Sequence, residues 1–289
     1  MESAVIDKPL IASGWLRALL CLLAFFILGS VAVVIYLVSG HKTPGENLSI
    51  EKSADARRFT SMFFFLIALG VVYAFRRWVD RKSFAGLGLE PAGQWKEAIS
   101  GICFGFFVIC LSCLILFFTG HLQWSDILFD PKSLFLSFGA LLLIAFSQEL
   151  LFRGYLLTNL LESFPPWISI GISAILFIPT ALLTPGTEGL LPLLSRLALG
   201  IILGIYFVYY HNLWFPVFCH FGWILMEGPL MGVGSPDDPP GLLQAEWRGD
   251  ANLTGGTSGL EGSFVLLAVS LLCGLCIFLA IHRKFRPAL

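Results

Sequence analysis

The constraint that dominates this chain is the length of its uninterrupted apolar segments. Residues 15–39, 60–79, 97–119, 132–161, 166–184, 191–210, 213–232 and 262–282 each hold roughly the 20 mostly apolar residues that an α-helix needs to cross ~30 Å of hydrocarbon. The segments are continuous rather than alternating, which argues against a β-barrel. The expected fold class is all-α, a polytopic transmembrane helical bundle of about eight spans. Composition leads to the same class, because 57% of the 289 residues are hydrophobic and only 13% charged. That is about half the charged share of a soluble domain, too little to cover a water-soluble globule. The first run, Leu16 to Val38, exceeds the 7 to 15 residues of a signal-peptide core and reads as a retained span.

A net charge of −1 leaves no basic face for nucleic acid, so nucleic acid is excluded as a partner and membrane lipid is the expected surroundings. The seven cysteines all fall inside apolar segments, where they read as small buried hydrophobes and not as disulfides or a zinc knuckle. No cofactor or metal is expected. The polar stretches His41 to Phe59 and Gly234 to Glu261 are the longest; the second, rich in Gly, Pro and Asp, is expected to form an irregular exposed loop.

Eight spans put both termini on one side. Lys8, Arg17, Arg76, Arg77, Arg81, Lys82, Lys96, Arg283, Lys284 and Arg286 then share that side, against Lys42, Lys52, Arg57, Arg58, Lys132, Arg196 and Arg248 opposite. The excess of basic residues assigns both termini to the cytoplasm.

The fourth span carries the charges. Asp130 is suited to cap a helix with Pro131 at its first position, and nothing breaks the pattern before Pro165. Within it Glu149 and Arg153 stand four residues apart, acid first, on one face. A charge inside a span costs about 2.5–3.5 kcal/mol on insertion scales, so the two are either paired or exposed to a wet cavity. The readings open at this point are a structural ion pair, an arginine that snorkels to the interface, and a functional site. His220, in the segment Leu213 to Met226, is either a hydrogen-bonded packing residue or a second site residue. Glu227, seven residues on, is its candidate partner or an interfacial carboxylate at the helix end.

The stretch Ser147-Gln148-Glu149-Leu150-Leu151-Phe152-Arg153-Gly154 resembles the first motif, EExxxR, of the CAAX-processing and bacteriocin-processing (CPBP, or Abi) intramembrane proteases. Ile172 to Leu183 resembles the second, FxxxH, with Phe177 in place. Leu213 to Ile224 resembles the third, HxxxN, with His220 in place. Gly255-Gly256 with Gly259-Leu260-Glu261-Gly262 resembles a glycine-rich loop of some members. The resemblance covers roughly residues 95–285, which makes that stretch a CAAX-protease-like membrane domain preceded by spans one and two over 1–94.

It implies peptide-bond hydrolysis within the membrane. A glutamate helped by histidine activates water, and histidine and asparagine donors hold the oxyanion. Carried over residue by residue, half of that set is absent. The first glutamate falls on Gln148, the second-motif histidine on Ala181 and the third-motif asparagine on Ile224. Glu149, Arg153 and His220 remain as the candidate site residues. The resemblance therefore implies a degenerate homologue acting as a scaffold, immunity or regulatory protein, with a membrane-embedded or prenylated peptide or protein as partner. The alternatives are an active endopeptidase with a rearranged Glu/His site and a transporter or channel. On the motif alignment, Gln148, Ala181, His220 and Ile224 are expected to line one cytoplasm-facing cavity.

Overall fold

Each of the eight apolar segments is helical in the computed structural model, which describes residues 8–38, 54–90, 94–183, 189–236 and 238–285, without the side chains of 36–38, 54–60, 181–183 and 285. Lys42, Lys52 and Arg286 and the side chains of Arg57 and Arg58, counted above for orientation, lie outside the described residues. The helices are α1 (Gly14–Val38), α2 (Ala54–Ala74), α3 (Trp95–Phe118), α4 (Pro131–Glu149), α5 (Pro166–Phe177), α6 (Leu190–Tyr210), α7 (Trp214–Leu225) and α8 (Phe264–Phe285).

Six of them are long and apolar enough to cross a membrane, and α5 and α7 are shorter. Pro179 lacks the amide that would continue α5, which tightens into a 3-10 turn, Ile178–Leu183. The α7 helix continues as a π turn, Met226–Leu230, that contains Pro229. The α2 helix begins before the apolar run that marked it, because helix formation extends through polar residues while apolarity marks only the part in lipid.

As expected from the sequence, Asp130 caps α4: its Oδ1 accepts from the backbone N–H groups of Lys132 and Ser133, both at 3.1 Å, with Pro131 leading. The helix then continues as a π-helix, Leu150–Leu157, and a last α turn, Thr158–Leu160. Thirty residues at 1.5 Å each make it about 45 Å long. Its two ends therefore lie at opposite ends of the bundle.

One end carries the start of α1 and the end of α8. Arg17 of α1 is fully buried there and binds Asp80 at 3.0 Å and Glu162, while Arg76 reaches Asp80 at 3.3 Å. Tyr155 donates to the same carboxylate at 3.0 Å and Asn159 at 3.4 Å, which fastens α1 and the end of α2 to the last turns of α4. Lys284, near the end of α8, lies 4.9 Å over the Tyr210 ring at the same end.

The opposite end is closed by β1 (Leu122–Ile127) and β2 (Leu243–Trp247), paired antiparallel with an irregularity between Trp124 and Asp126. This corrects the expectation of an irregular exposed loop over Gly234 to Glu261. That stretch contains β2, a one-turn helix at Ala251–Thr254 and a 3-10 turn at Gly256–Gly262 whose Leu260 is fully buried. Gly259, at φ +58, lets the chain pass so close to Gly234 that an added Cβ would stand 2.1 Å from the Gly234 carbonyl oxygen.

Between the ends, α3 and α7 pack along small residues. A Cβ on Gly105 would lie 2.3 Å from the Cys219 carbonyl oxygen, and one on Gly101 would lie 2.5 Å from that of Phe215. Gly222 returns the contact against Ile102. Such spacing lets two backbones touch, the condition under which helices associate in lipid. Because α7 carries His220, this contact sets the depth at which that ring meets α4. Gly105→Leu should therefore destabilise the detergent-solubilised protein by about 1–3 kcal/mol or more, read as a lowered unfolding temperature. Gly70→Leu, where an added Cβ meets nothing within 4 Å, should leave that temperature unchanged.

Candidate functional site

The Glu149 carboxylate is the centre of the site. It is fully buried at the last residue of the α part of α4. Arg153 Nη1 donates to its Oε1 at 2.8 Å and His220 Nδ1 stands 3.0 Å from the same oxygen. Arg153 is also fully buried and His220 is 2% exposed. The three retained motif residues thus meet, and the snorkelling alternative for Arg153 is set aside.

Two further helices hold the arginine. Its Nη2 donates to the Gly200 carbonyl of α6 at 3.2 Å, and its guanidinium carbon lies 4.4 Å from the ring centre of Phe177 at the end of α5. Gly200 leaves room for it: an added Cβ would crowd Ala174 at 3.1 Å and Arg153 Nη2 at 3.4 Å. Phe177 also meets the His220 ring edge to face at 5.7 Å. The motif phenylalanine is therefore a wall of the site. Ser173 of α5 donates to the Phe152 carbonyl at 3.1 Å, which ties α5 to the π turn that follows Glu149.

A cavity of about 310 Å³ opens beside this cluster. Gln148, His220 and Ile224 line it together, as the motif alignment requires. The side chain of Ala181, the fourth expected member, lies outside the described residues. The cavity runs from Gln148 toward Leu128, Asp130 and Leu242, at the β1–β2 end of the bundle. The sequence places the cavity and both termini on the cytoplasmic side; the start of α1 and the end of α8 instead lie at the opposite end of α4 from the cavity mouth, so the two cannot both face the cytoplasm.

Chemically, Glu149 is committed. One oxygen is shared by a guanidinium and an imidazole, and the other, Oε2, is buried without a donor among the described residues. When His220 donates from Nδ1 to that carboxylate, the neutral ring has only an acceptor left at Nε2. It can donate to an oxyanion only as the imidazolium. Gln148 faces the cavity with an amide, which is too weakly basic to take a proton from water, and Ile224 has nothing to donate. Among the described residues, no three His, Cys, Asp or Glu side chains gather closely enough to hold a metal ion.

Three cavity residues were not legible as a site in the sequence. Glu227, expected either as the partner of His220 or as an interfacial carboxylate, is 7% exposed and lines the cavity, while the partner of His220 is Glu149. Arg196 and Glu261 form an ion pair across the wall, Nη2 to Oε2 at 3.1 Å. The signal available was weak: an arginine six residues into a span and an acid within a glycine-rich loop.

Residues 130–226 match the family model for type II CAAX prenyl endopeptidase Rce1-like proteins. The matched stretch contains Glu149, Arg153 and His220, together with Gln148, Ala181 and Ile224. No curated protein matches the chain.

Removing one partner of a fully buried ion pair strands the other, which costs about 3–5 kcal/mol. Glu149→Ala should therefore lower the unfolding temperature strongly. His220→Ala leaves the Glu149–Arg153 contact in place and should cost less. An equal loss for the two variants in a thermal melt would contradict this ordering.

Proposed function

We propose that this integral membrane protein, which carries a CAAX-protease family domain over residues 130–226, is a catalytically degenerate homologue that binds where its relatives cut. It holds a membrane-embedded or prenylated peptide, or a lipid tail, and acts as a scaffold, immunity or regulatory protein. The observation that carries the reading is the composition of the cavity wall. Gln148 and Ile224 face the cavity beside His220, while the acid that remains, Glu149, is occupied by Arg153 and His220.

Hydrolysis needs a base that is free to take a proton from water and fixed donors for the oxyanion. A glutamate that already accepts from a guanidinium is held in its orientation, which suits it to positioning His220. Sets of catalytic groups act together, so losing several leaves little of the rate.

The localisation that fits this reading is a bacterial cytoplasmic membrane with both termini in the cytoplasm. Among the described residues Lys8, Arg17, Arg76, Arg77, Arg81, Lys82, Lys96, Arg283 and Lys284 belong to the terminal end, against Arg57, Arg58, Lys132, Arg196 and Arg248 at the other. The cavity mouth then faces away from the cytoplasm.

Incubation of the purified protein with a farnesylated peptide ending in a CAAX sequence should give no cleavage above background. Cleavage by wild type that disappears in His220→Ala would sink the degenerate reading in favour of a rearranged active site. The triple change Gln148→Glu, Ala181→His and Ile224→Asn should still yield a folded, monodisperse protein, because a polar-lined cavity accepts polar side chains. Aggregation of the triple variant would mean that these positions pack as apolar core.

A further inference from the structure

We infer that the cavity is a site for a cation carried on an aliphatic chain, an alkylammonium group held by Glu227. The inference rests on reading the cavity as a binding site, and it names what is bound.

Two acceptors on the cavity wall lack donors among the described residues: Glu227 Oε1 and Gln148 Oε1. A buried acceptor without a donor carries its full desolvation cost, and more so when it is a carboxylate. Glu227 is 93% buried by its 7% exposure, so water does little to offset that cost. Trp223 Nε1, one turn back on α7, has no well-formed hydrogen bond among the described residues but lies near enough to Glu227 to donate to one carboxyl oxygen. A carboxylate offers two oxygens, and the last torsion of a glutamate is soft, so the other oxygen still turns to the cavity.

The remaining charges do not supply the missing cation. Arg196, the guanidinium on this wall, is engaged by Glu261 through both Nε at 3.2 Å and Nη2 at 3.1 Å. Asp130 accepts from the N-terminal amides of α4, and Asp238 accepts from the Ser235 N–H at 3.1 Å. Carboxyl groups thus outnumber the cationic side chains around the cavity, which opposes an anionic ligand.

Glu227 stands apart from the motif cluster: it follows His220 by seven residues, about 10 Å of helical rise, and His220 Nδ1 is held by Glu149 instead. The aliphatic part of the ligand follows from the opposite wall, where Leu134, Leu141 and Ile144 of α4 face the cavity with Ile224 of α7. A volume of about 310 Å³ suits a single short chain and lies at the small end of ligand pockets.

The test uses the full chain in maltoside micelles, with octylammonium, octanol and octanoate as probes and thermal unfolding as the readout. Octylammonium should stabilise wild type at concentrations roughly tenfold or more below those at which octanol does so, and octanoate should be weakest. Glu227→Gln should abolish the preference for octylammonium, and Glu227→Asp should keep it. Comparison with Glu227→Gln also cancels partition of the amine into the micelle. If that variant fails to fold, the ranking of the three probes on wild type decides alone.

Equal effects of octylammonium and octanoate, or an undiminished preference in Glu227→Gln, would overturn the inference. Equal effects of octylammonium and octanol, both lost in Leu141→Trp, would overturn it while leaving non-catalytic binding intact. Cleavage of the prenylated peptide would instead defeat the functional reading on which the inference rests.

Discussion

A single carboxylate oxygen fixes the interior of this bundle. Glu149 Oε1 receives Arg153 from its own helix and His220 from α7, and Arg153 passes the connection on to the Gly200 carbonyl of α6 and the ring of Phe177 at the end of α5. In lipid there is little hydrophobic drive between helices, so close packing and buried polar contacts decide which faces meet. Four helices therefore take their register from one charge pair and its neighbours. The glycine contact of α3 with α7 does the same from the other side of His220.

How much of this could be read in advance depended on how local each feature is. The apolar runs, the Asp130–Pro131 start of α4 and the four-residue spacing of Glu149 and Arg153 are all written within one turn or one span, and each is realised. The meeting of Glu149 with His220 joins residues 71 apart and became legible only through the motif resemblance. The β1–β2 pair joins segments more than 100 residues apart, each short and mixed in polarity, so no periodicity announces either strand. The burial of Glu227 was hidden for a related reason. An acid at the end of an apolar run reads as a headgroup-level residue, and only the return of the 234–262 segment over that end of the bundle buries it.

The length of α4 separates two questions that the sequence alone runs together. A helix of about 45 Å exceeds the hydrocarbon thickness, so it places Glu149 well inside the bundle while its first turn reaches the β1–β2 end. The cavity follows the first part of the helix, and the Arg17–Asp80 cluster holds the last part. Basic residues therefore mark one end of the molecule while the cavity opens at the other.

This arrangement also explains, in energetic terms, which of these residues the fold depends on. Glu149 and Arg153 are buried against each other, and losing either strands a charge in a medium where it cannot be solvated. His220 rests against that pair and against Phe177. Gln148 and Ile224 differ, because they face a cavity and little packs against them from that side. A change there alters what the cavity can do and whom it can hold, at little cost to the helices around it. Glu149 and Arg153 are thus bound into the stability of the bundle, whereas positions 148 and 224 can vary with what the cavity must hold. The wall can change while Glu149, Arg153 and His220 stay in place.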